Sequence, residues 1–275
     1  MSEQKPYLVY VIGDYGDNLA FNEVHMRIDA AMGNLPYRLF DQNVPAFDTV
    51  STGFTLGQLA LNVPTDGDYA KRVKFFVNTA PRKDDPKARE KCAGEALVYF
   101  RLKNGVEGVC VNSGYSLSFV KDSAEEIRML EAASDGSQFR SRDVFPQAFG
   151  AVMHGNKEIM GQDITDQIPD PQEDVVAFTD GYGNLKCSID PRKLDAHKGK
   201  HIKIYINRLP IFAKIADGIF GVEDGEFCVS QGSSGWVKPD GTHQRFTEII
   251  RRGGNAAETV NYPLSGKKII WEIVE

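Results

Sequence analysis

A polar stretch carrying two prolines, DITDQIPDPQED (163–174), separates two kinds of hydrophobic pattern, and that change constrains the fold more than any single motif. Before it, strand-like and helix-like runs alternate. YLVYVIG (7–13) is apolar, β-branched and aromatic and ends at a glycine. Phe21, Val24, Ile28 and Met32 recur at helical spacing, which predicts a helix over 20–33. YRLF (37–40) reads as a strand, Thr49–Leu61 as a helix and VKFFVNTA (73–80) as a buried strand. ALVYFRL (96–102) and VEGVCVN (106–112) flank a turn at Lys103-Asn104-Gly105, and Ser123 with Glu126 three residues on predicts a capped helix over 123–133. Beyond the polar stretch, short strand-like runs dominate: VVAFT (175–179), HIKIYIN (201–207), EFCVSQ (226–231), FTEII (246–250) and KKIIWEIV (267–274). The expectation is an α/β domain over 1–165, then a smaller all-β barrel or sandwich over 172–275.

Composition narrows the function. With 41% hydrophobic and 25% charged residues the chain is of globular type. A net charge of -6 disfavours a protein that tracks a nucleic-acid backbone. No apolar run approaches the ~20 residues of a membrane span, and MSEQKPYLVYVIGD lacks a basic start and a small-residue cleavage site, so a cytoplasmic location is expected. Cys92, Cys110, Cys187 and Cys228 form no CxxC pair, which predicts reduced thiols and no zinc site. The histidines, His197 and His201 in HKGKH included, fall in no metal spacing. No metal and no cofactor is expected.

Polar residues gather where strands are predicted to end, the usual place for ligands in α/β proteins. In GDYGDN (13–18), Asp14 follows the first strand; a carboxylate there suits a ribose diol, and equally a helix cap or Asx turn. VNSG (111–114) reads as a polar turn and QFRSRDVF (138–145) as a capped helix start. TDGYGNLKCS (179–188) presents Asp180, Tyr182 and Asn184 at alternate positions with glycines between. Tyr182 and Phe212 also suit a β-domain core, and Gly232-Ser233-Ser234-Gly235 suits a hairpin turn or an anion-binding nest. The glycines form neither GxGxxG nor a Walker loop.

Taken in order, these segments resemble the family of S-adenosylmethionine (SAM) adenosyltransferases that holds the SAM hydroxide adenosyltransferases (SAM hydrolases), the fluorinase and the chlorinase. IGDYGDN resembles the family's opening TDFG element, and QNVPAFDTVSTGFTLGQLAL (42–61) resembles HEIPPFDVRAGAFLLAQAL. VNSG corresponds to PDNG or PNNG, and FRSRDVFPQAFGAVMHG (139–155) to FHGRDIFAPAAAHLALG. TDGYGNLKCSI resembles IDRFGNLITNI, GEFCVSQGSSGW (225–236) resembles GELVALIGSSGYL, and RRGGNAAE (251–258) resembles NQGSAAE. The matched segments extend over nearly the whole chain.

The resemblance implies a fluorinase-like first domain, a β-rich second domain and a homotrimer in which SAM lies between neighbouring subunits. It implies that Asp14 grips the ribose hydroxyls and that Phe47 and Phe212 flank the sugar and adenine. Asp180 and Asn184 hold the methionine end, with Tyr182 packing nearby, Ser233 assisting, and Asn255 and Ala256 at the adenine edge. Asn112 and Phe139 join the substrate-binding set, while Asn78, Thr79, Arg140 and Ser141 surround the reacting carbon. The expected reaction is attack of water on the 5′ carbon, giving adenosine and methionine. The alternatives are a SAM-binding sensor without turnover and a halide-dependent transferase. The family's water-handling aspartate falls at Ala80 and its histidine at Arg140; Arg82, Arg89, Asp84 and Asp85 are candidate substitutes. Arg140 suits an anionic nucleophile or a phosphate on a modified SAM, or a plain ion pair with Asp143.

Overall fold

The computed structural model describes residues 5–64, 67–79, 94–132 and 137–274. The chain divides into two compact units, Met1–Asp170 and Pro171–Glu275, so the break falls inside the proline-bearing stretch. Each unit is built on a mixed sheet of seven strands.

The first sheet comprises β1 (Tyr7–Gly13), β2 (Tyr37–Asn43), β3 (Val73–Asn78), β4 (Leu97–Leu102), β5 (Glu107–Val111), β6 (Ala124–Leu130) and β7 (Met160–Asp163), in the order β2-β1-β3-β5-β4-β6-β7. β2, β1, β3 and β5 are parallel, and β4, β6 and β7 continue the sheet antiparallel. A parallel strand covered on both faces needs apolar side chains in both directions. β3 meets that need: Phe75 enters one core with Ile12, Leu56 and Phe100, while Phe76 enters a second with Val9, Val24, Ile28 and Phe149. The helices are α1 (Asn18–Met32), α2 (Thr49–Ala60), α3 (Tyr69–Arg72), α4 (Arg140–Asp143) and α5 (Phe145–Met153). α1 buries Phe21, Val24, Ile28 and Met32, the stripe its spacing predicted.

One expected element is corrected. Residues 124–130 form β6, not a helix; only Lys121–Ser123 turn, as a short 3-10 segment. Ala124, Ile127 and Leu130 are buried at a three-residue spacing that points to a helix, but pairing makes a strand that buries Ala124 and Ile127 in one core and Leu130 in the other. Phe100 sits opposite Ile127 and Val98 opposite Met129. Glu126 does not turn back to cap Ser123; it meets Arg101 across the sheet at 2.9 Å, as Glu125 also does.

The second sheet comprises β8 (Val176–Thr179), β9 (Leu185–Cys187), β10 (His201–Ile206), β11 (Leu209–Ile215), β12 (Phe227–Val237), β13 (His243–Arg251) and β14 (Ile270–Val274), in the order β14-β10-β11-β12-β13-β9-β8. All neighbours are antiparallel except β11 and β12. Ile202, Ile204 and Ile206 alternate into the core with Ile211, Ala213, Val229 and Ile249. The β10–β11 hairpin turns through Asn207 (φ 52°) and Arg208 (φ 65°), the doubly left-handed pair that matches strand twist. A short helix, α6 (Ala256–Thr259), follows β13.

Candidate functional site

The site residues of the first unit sit at the carboxyl ends of its parallel strands. Gly13 is in register with Asn78, and Val77 with Cys110, so Asp14, Thr79 and Asn112 are neighbouring exits from β1, β3 and β5. Asp14 Oδ2 accepts the Phe47 N–H at 2.8 Å, joining the first strand's exit to the VPAFD segment. Phe47 holds φ 63°, uncommon for a residue with a side chain, and stays 39% exposed. Asp14 is not the cap of α1: Asp17 accepts the Ala20 N–H, and Asp48 caps α2 through the Ser51 N–H. Thr79 is buried; its hydroxyl pairs with that of Thr52 at 2.8 Å and its carbonyl accepts the Ser113 hydroxyl. Asn78 and Asn112 are half-buried beside these groups.

The segment at 139–143 packs on the same strand exits. Phe139 meets Tyr15 edge-on at 5.8 Å between ring centres, and Tyr15 meets Phe21 at 4.9 Å. Ser141 is buried beside the Tyr15 hydroxyl, itself buried without a hydrogen bond of good geometry among the described residues. Burial pushes that phenol well above its ordinary range, so it stays protonated. Arg140 Nη1 donates to the Glu95 carbonyl at 2.8 Å, and its guanidinium lies over the Phe145 ring. Asp143, one of the partners considered for Arg140, pairs instead with Arg142 at 2.7 Å, which also meets Glu23 at 2.9 Å. Hydrogen bonds from Arg142, then Ser137, lower the Asp143 carboxyl to about 2.

In the second unit the loop between β8 and β9 is organised by Asp180. Its Oδ1 accepts the Tyr182 and Asn184 N–H groups, both at 3.0 Å, and its Oδ2 accepts Asn184 Nδ2 at 3.1 Å. Lys186 Nζ lies 3.2 Å from the same Oδ2 and 2.7 Å from Glu248 Oε1 on the adjacent strand β13. Glu248 Oε1 also accepts the Ser233 N–H at 3.3 Å. Ser233 is not in a hairpin turn; it lies within β12, where the register to β13 shifts between Gln231 and Gly235. Asn255 caps α6 through the Glu258 N–H, and the Ala257 N–H bonds the Gly183 carbonyl at 2.9 Å. Gly183 has φ 80°, and a side chain there would strike the Asn255 amide. One cluster thus gathers Asp180, Asn184, Ser233, Asn255 and the buried Ala256, with Tyr182 81% exposed above it. Phe212 stands apart: it is on β11, which pairs with β12 only as far as Val229, and its exposed ring lies under Lys203.

Lys186 and Glu248 were not anticipated. The available signal was a lysine in the short run LKC, where the family pattern IDRFGNLITNI carries isoleucine, and a glutamate amid the apolar FTEII. Tyr15 is a similar departure, standing where TDFG has phenylalanine; Ser141, one of the expected site residues, stands where FHGRD has glycine. Ala80, Arg82, Asp84, Asp85, Arg89 and Cys92 lie outside the described residues. Among the described residues no cluster of His, Cys, Asp or Glu could hold a metal ion, and no helix is long and apolar enough to cross a membrane. Cys110, Cys187 and Cys228 are buried thiols, and burial raises each above its ordinary value.

No protein-family model matches this sequence, and no curated protein matches it significantly. Solved structures do. An uncharacterized conserved protein from Thermotoga maritima is similar with a TM-score of 0.68 and 19% identity, over 96% of this chain and 99% of that one. A conserved hypothetical protein from Thermus thermophilus is similar with a TM-score of 0.62 and 16% identity, over 98% of this chain and 100% of that one. At these identities the likeness is one of fold, over essentially the full length of all three chains.

Proposed function

We propose that this protein binds an adenosyl sulfonium, SAM or a relative of it, and cleaves it at the ribose 5′ carbon with water. The fold is then fluorinase-like, the working form a cytoplasmic homotrimer, and each site is completed by a neighbouring copy. The observation that carries this reading is the bond from the Phe47 amide to Asp14. It joins two separate motifs of the resemblance at strand exits that a third, Asn112 and Ser113, also reaches. A carboxylate fixed there by a backbone amide suits a ribose diol, and the exposed Phe47 ring suits a sugar or base face.

The chemistry asks little of an acid. The oxygen of water bonds to the 5′ carbon as the C–S bond breaks, and its electron pair goes to sulfur. The thioether leaves neutral, and the proton of the attacking water passes to solvent. Positioning and removal of bulk water therefore supply most of the acceleration. Asn78, Asn112 and Ser141 are the polar groups we assign to the nucleophile's side, with Thr79 as their buried support. Arg140 we assign to holding the 94–95 backbone in place.

One observation favours a second reading, SAM binding without turnover: the position of the family's histidine is Arg140, whose guanidinium is engaged with the Glu95 carbonyl. Incubation of pure protein with SAM, with and without chloride or fluoride, separates the possibilities. Adenosine and methionine formed without halide support hydrolysis. A 5′-halo nucleoside indicates the transferase, and calorimetric binding without product indicates the sensor.

A further inference from the structure

The parallel strands of the first unit have a second end. Tyr7 opens β1, and Arg72 immediately precedes β3, whose Val73 is in register with Leu8. Both residues line a cavity of about 640 Å³, a volume in the range of small-ligand sites. Asp14 lies past the far end of β1, about 20 Å away at the usual rise per strand residue.

Among the described residues that line the cavity, Lys5, Lys71 and Arg72 are cations and Asp68 is an acid, a net charge of +2. Lys71 meets Asp68 at 3.0 Å in an exposed pair, which holds it loosely. Arg72 is half-buried and better fixed: its Nε donates to the Pro6 carbonyl at 2.9 Å, and its guanidinium lies 5.8 Å from the Tyr69 ring centre. Its terminal amino groups make no hydrogen bond to the described residues, which leaves a two-pronged donor face for an oxyanion. The Tyr7 ring is held as well. The Lys74 ammonium lies 5.1 Å from its centre, and Lys74, only 4% exposed, is paired with Glu107 at 2.5 Å. That buried pair is neutral in sum, so it adds no charge to the cavity and acts on it by fixing Tyr7.

Two tyrosine rings suit the face of a planar ring, and a fixed guanidinium suits two oxygens of one phosphate. The charge of +2 matches a phosphomonoester dianion better than a single carboxylate. We propose that this cavity is a second binding site, for a planar aromatic phosphomonoester, the class that includes nucleoside monophosphates. Arg72 takes the phosphate, Tyr7 and Tyr69 flank the ring, and Lys5 and Lys71 supply attraction from the rim. The site is independent of the strand exits and of the reaction assigned to them.

Calorimetry on the full chain tests this with 1-naphthyl phosphate, which has no ribose diol for Asp14 to hold. It should bind about tenfold or more tighter than 1-naphthol, 1-naphthoate or inorganic phosphate, and more weakly as salt rises. Arg72→Lys keeps the charge and loses the fork, and should weaken binding about tenfold. Lys5→Gln with Lys71→Gln, at exposed positions that leave the fold intact, should weaken it about threefold. No binding of 1-naphthyl phosphate overturns the inference, as does binding unchanged in both folded variants. Inorganic phosphate binding as tightly also overturns it and leaves an adventitious ion only. Equal binding of 1-naphthol reduces the cavity to an apolar cleft, and equal binding of 1-naphthoate removes the phosphate; either overturns the assignment. None of these results bears on the adenosyl-sulfonium reading.

Discussion

The two polar groups reach order by opposite routes. In the first unit, side chains at the ends of parallel strands are held by amides and hydroxyls of neighbouring segments: Asp14 by Phe47, and Thr79 by Thr52. In the second, charges close on one another, with Lys186 placed between Asp180 and Glu248. The first arrangement leaves an exposed aromatic and half-buried amides facing outward. The second holds the Asp180 carboxylate by two backbone amides, the Asn184 side chain and an ion pair to Lys186. The strand-exit group is thus held by neutral donors and acceptors, whereas the second group is held by opposite charges.

Removing one member of the charge cluster is the most severe way to break this contrast. Glu248→Ala should cost about 3 kcal/mol of stability in denaturant melts, because it leaves Lys186 nearly buried with Asp180 as its remaining acidic partner. A loss within error would mean that the cluster is solvated. Asp14→Ala should weaken binding of an adenosyl ligand by about 2 kcal/mol, read by calorimetry, since it removes both the diol acceptor and the anchor of Phe47. Unchanged affinity would reduce Asp14 to a loop-forming residue.

Smaller changes sharpen the comparison by perturbing places outside both groups. Arg208→Gly should raise stability by about 1 kcal/mol, because Arg208 holds φ 65° and glycine adopts that conformation without strain. No gain would show that the side chain makes an offsetting contact. Asp143 supplies a pH signature. Its carboxyl is lowered to about 2, chiefly by Arg142 and then Ser137, so its contribution is complete above the ordinary carboxylate range and fades as pH falls through about 2. Native protein should therefore lose melting temperature between about pH 4 and pH 2 more steeply than Asp143→Asn does. Parallel curves would remove Asp143 from the account of acid sensitivity.

Legibility in the sequence follows the same division. α1 could be read because its four buried residues share one helical face, β1 because it is an unbroken apolar run, and β3 because Phe75, Phe76 and Val77 are consecutive and apolar. Asp14 and Asn112 could be placed because they directly follow such strands. β6 could not, because its buried positions have the spacing of a helix and only pairing with β4 settles the matter. Lys186 and Glu248 are 62 residues apart and meet through the β9–β13 register, which spacing along the chain does not contain. Arg142, not Arg140, took Asp143 for a related reason: both arginines lie within reach in sequence, and side-chain direction chose between them.

The central claim is hydrolytic cleavage at the 5′ carbon of an adenosyl sulfonium. It is tested most directly by incubating the pure protein with SAM in water enriched in oxygen-18, then weighing the nucleoside product by mass spectrometry. The account predicts adenosine carrying one heavy oxygen at the 5′ position, together with the intact thioether. No nucleoside product, or adenosine with only light oxygen, would contradict it.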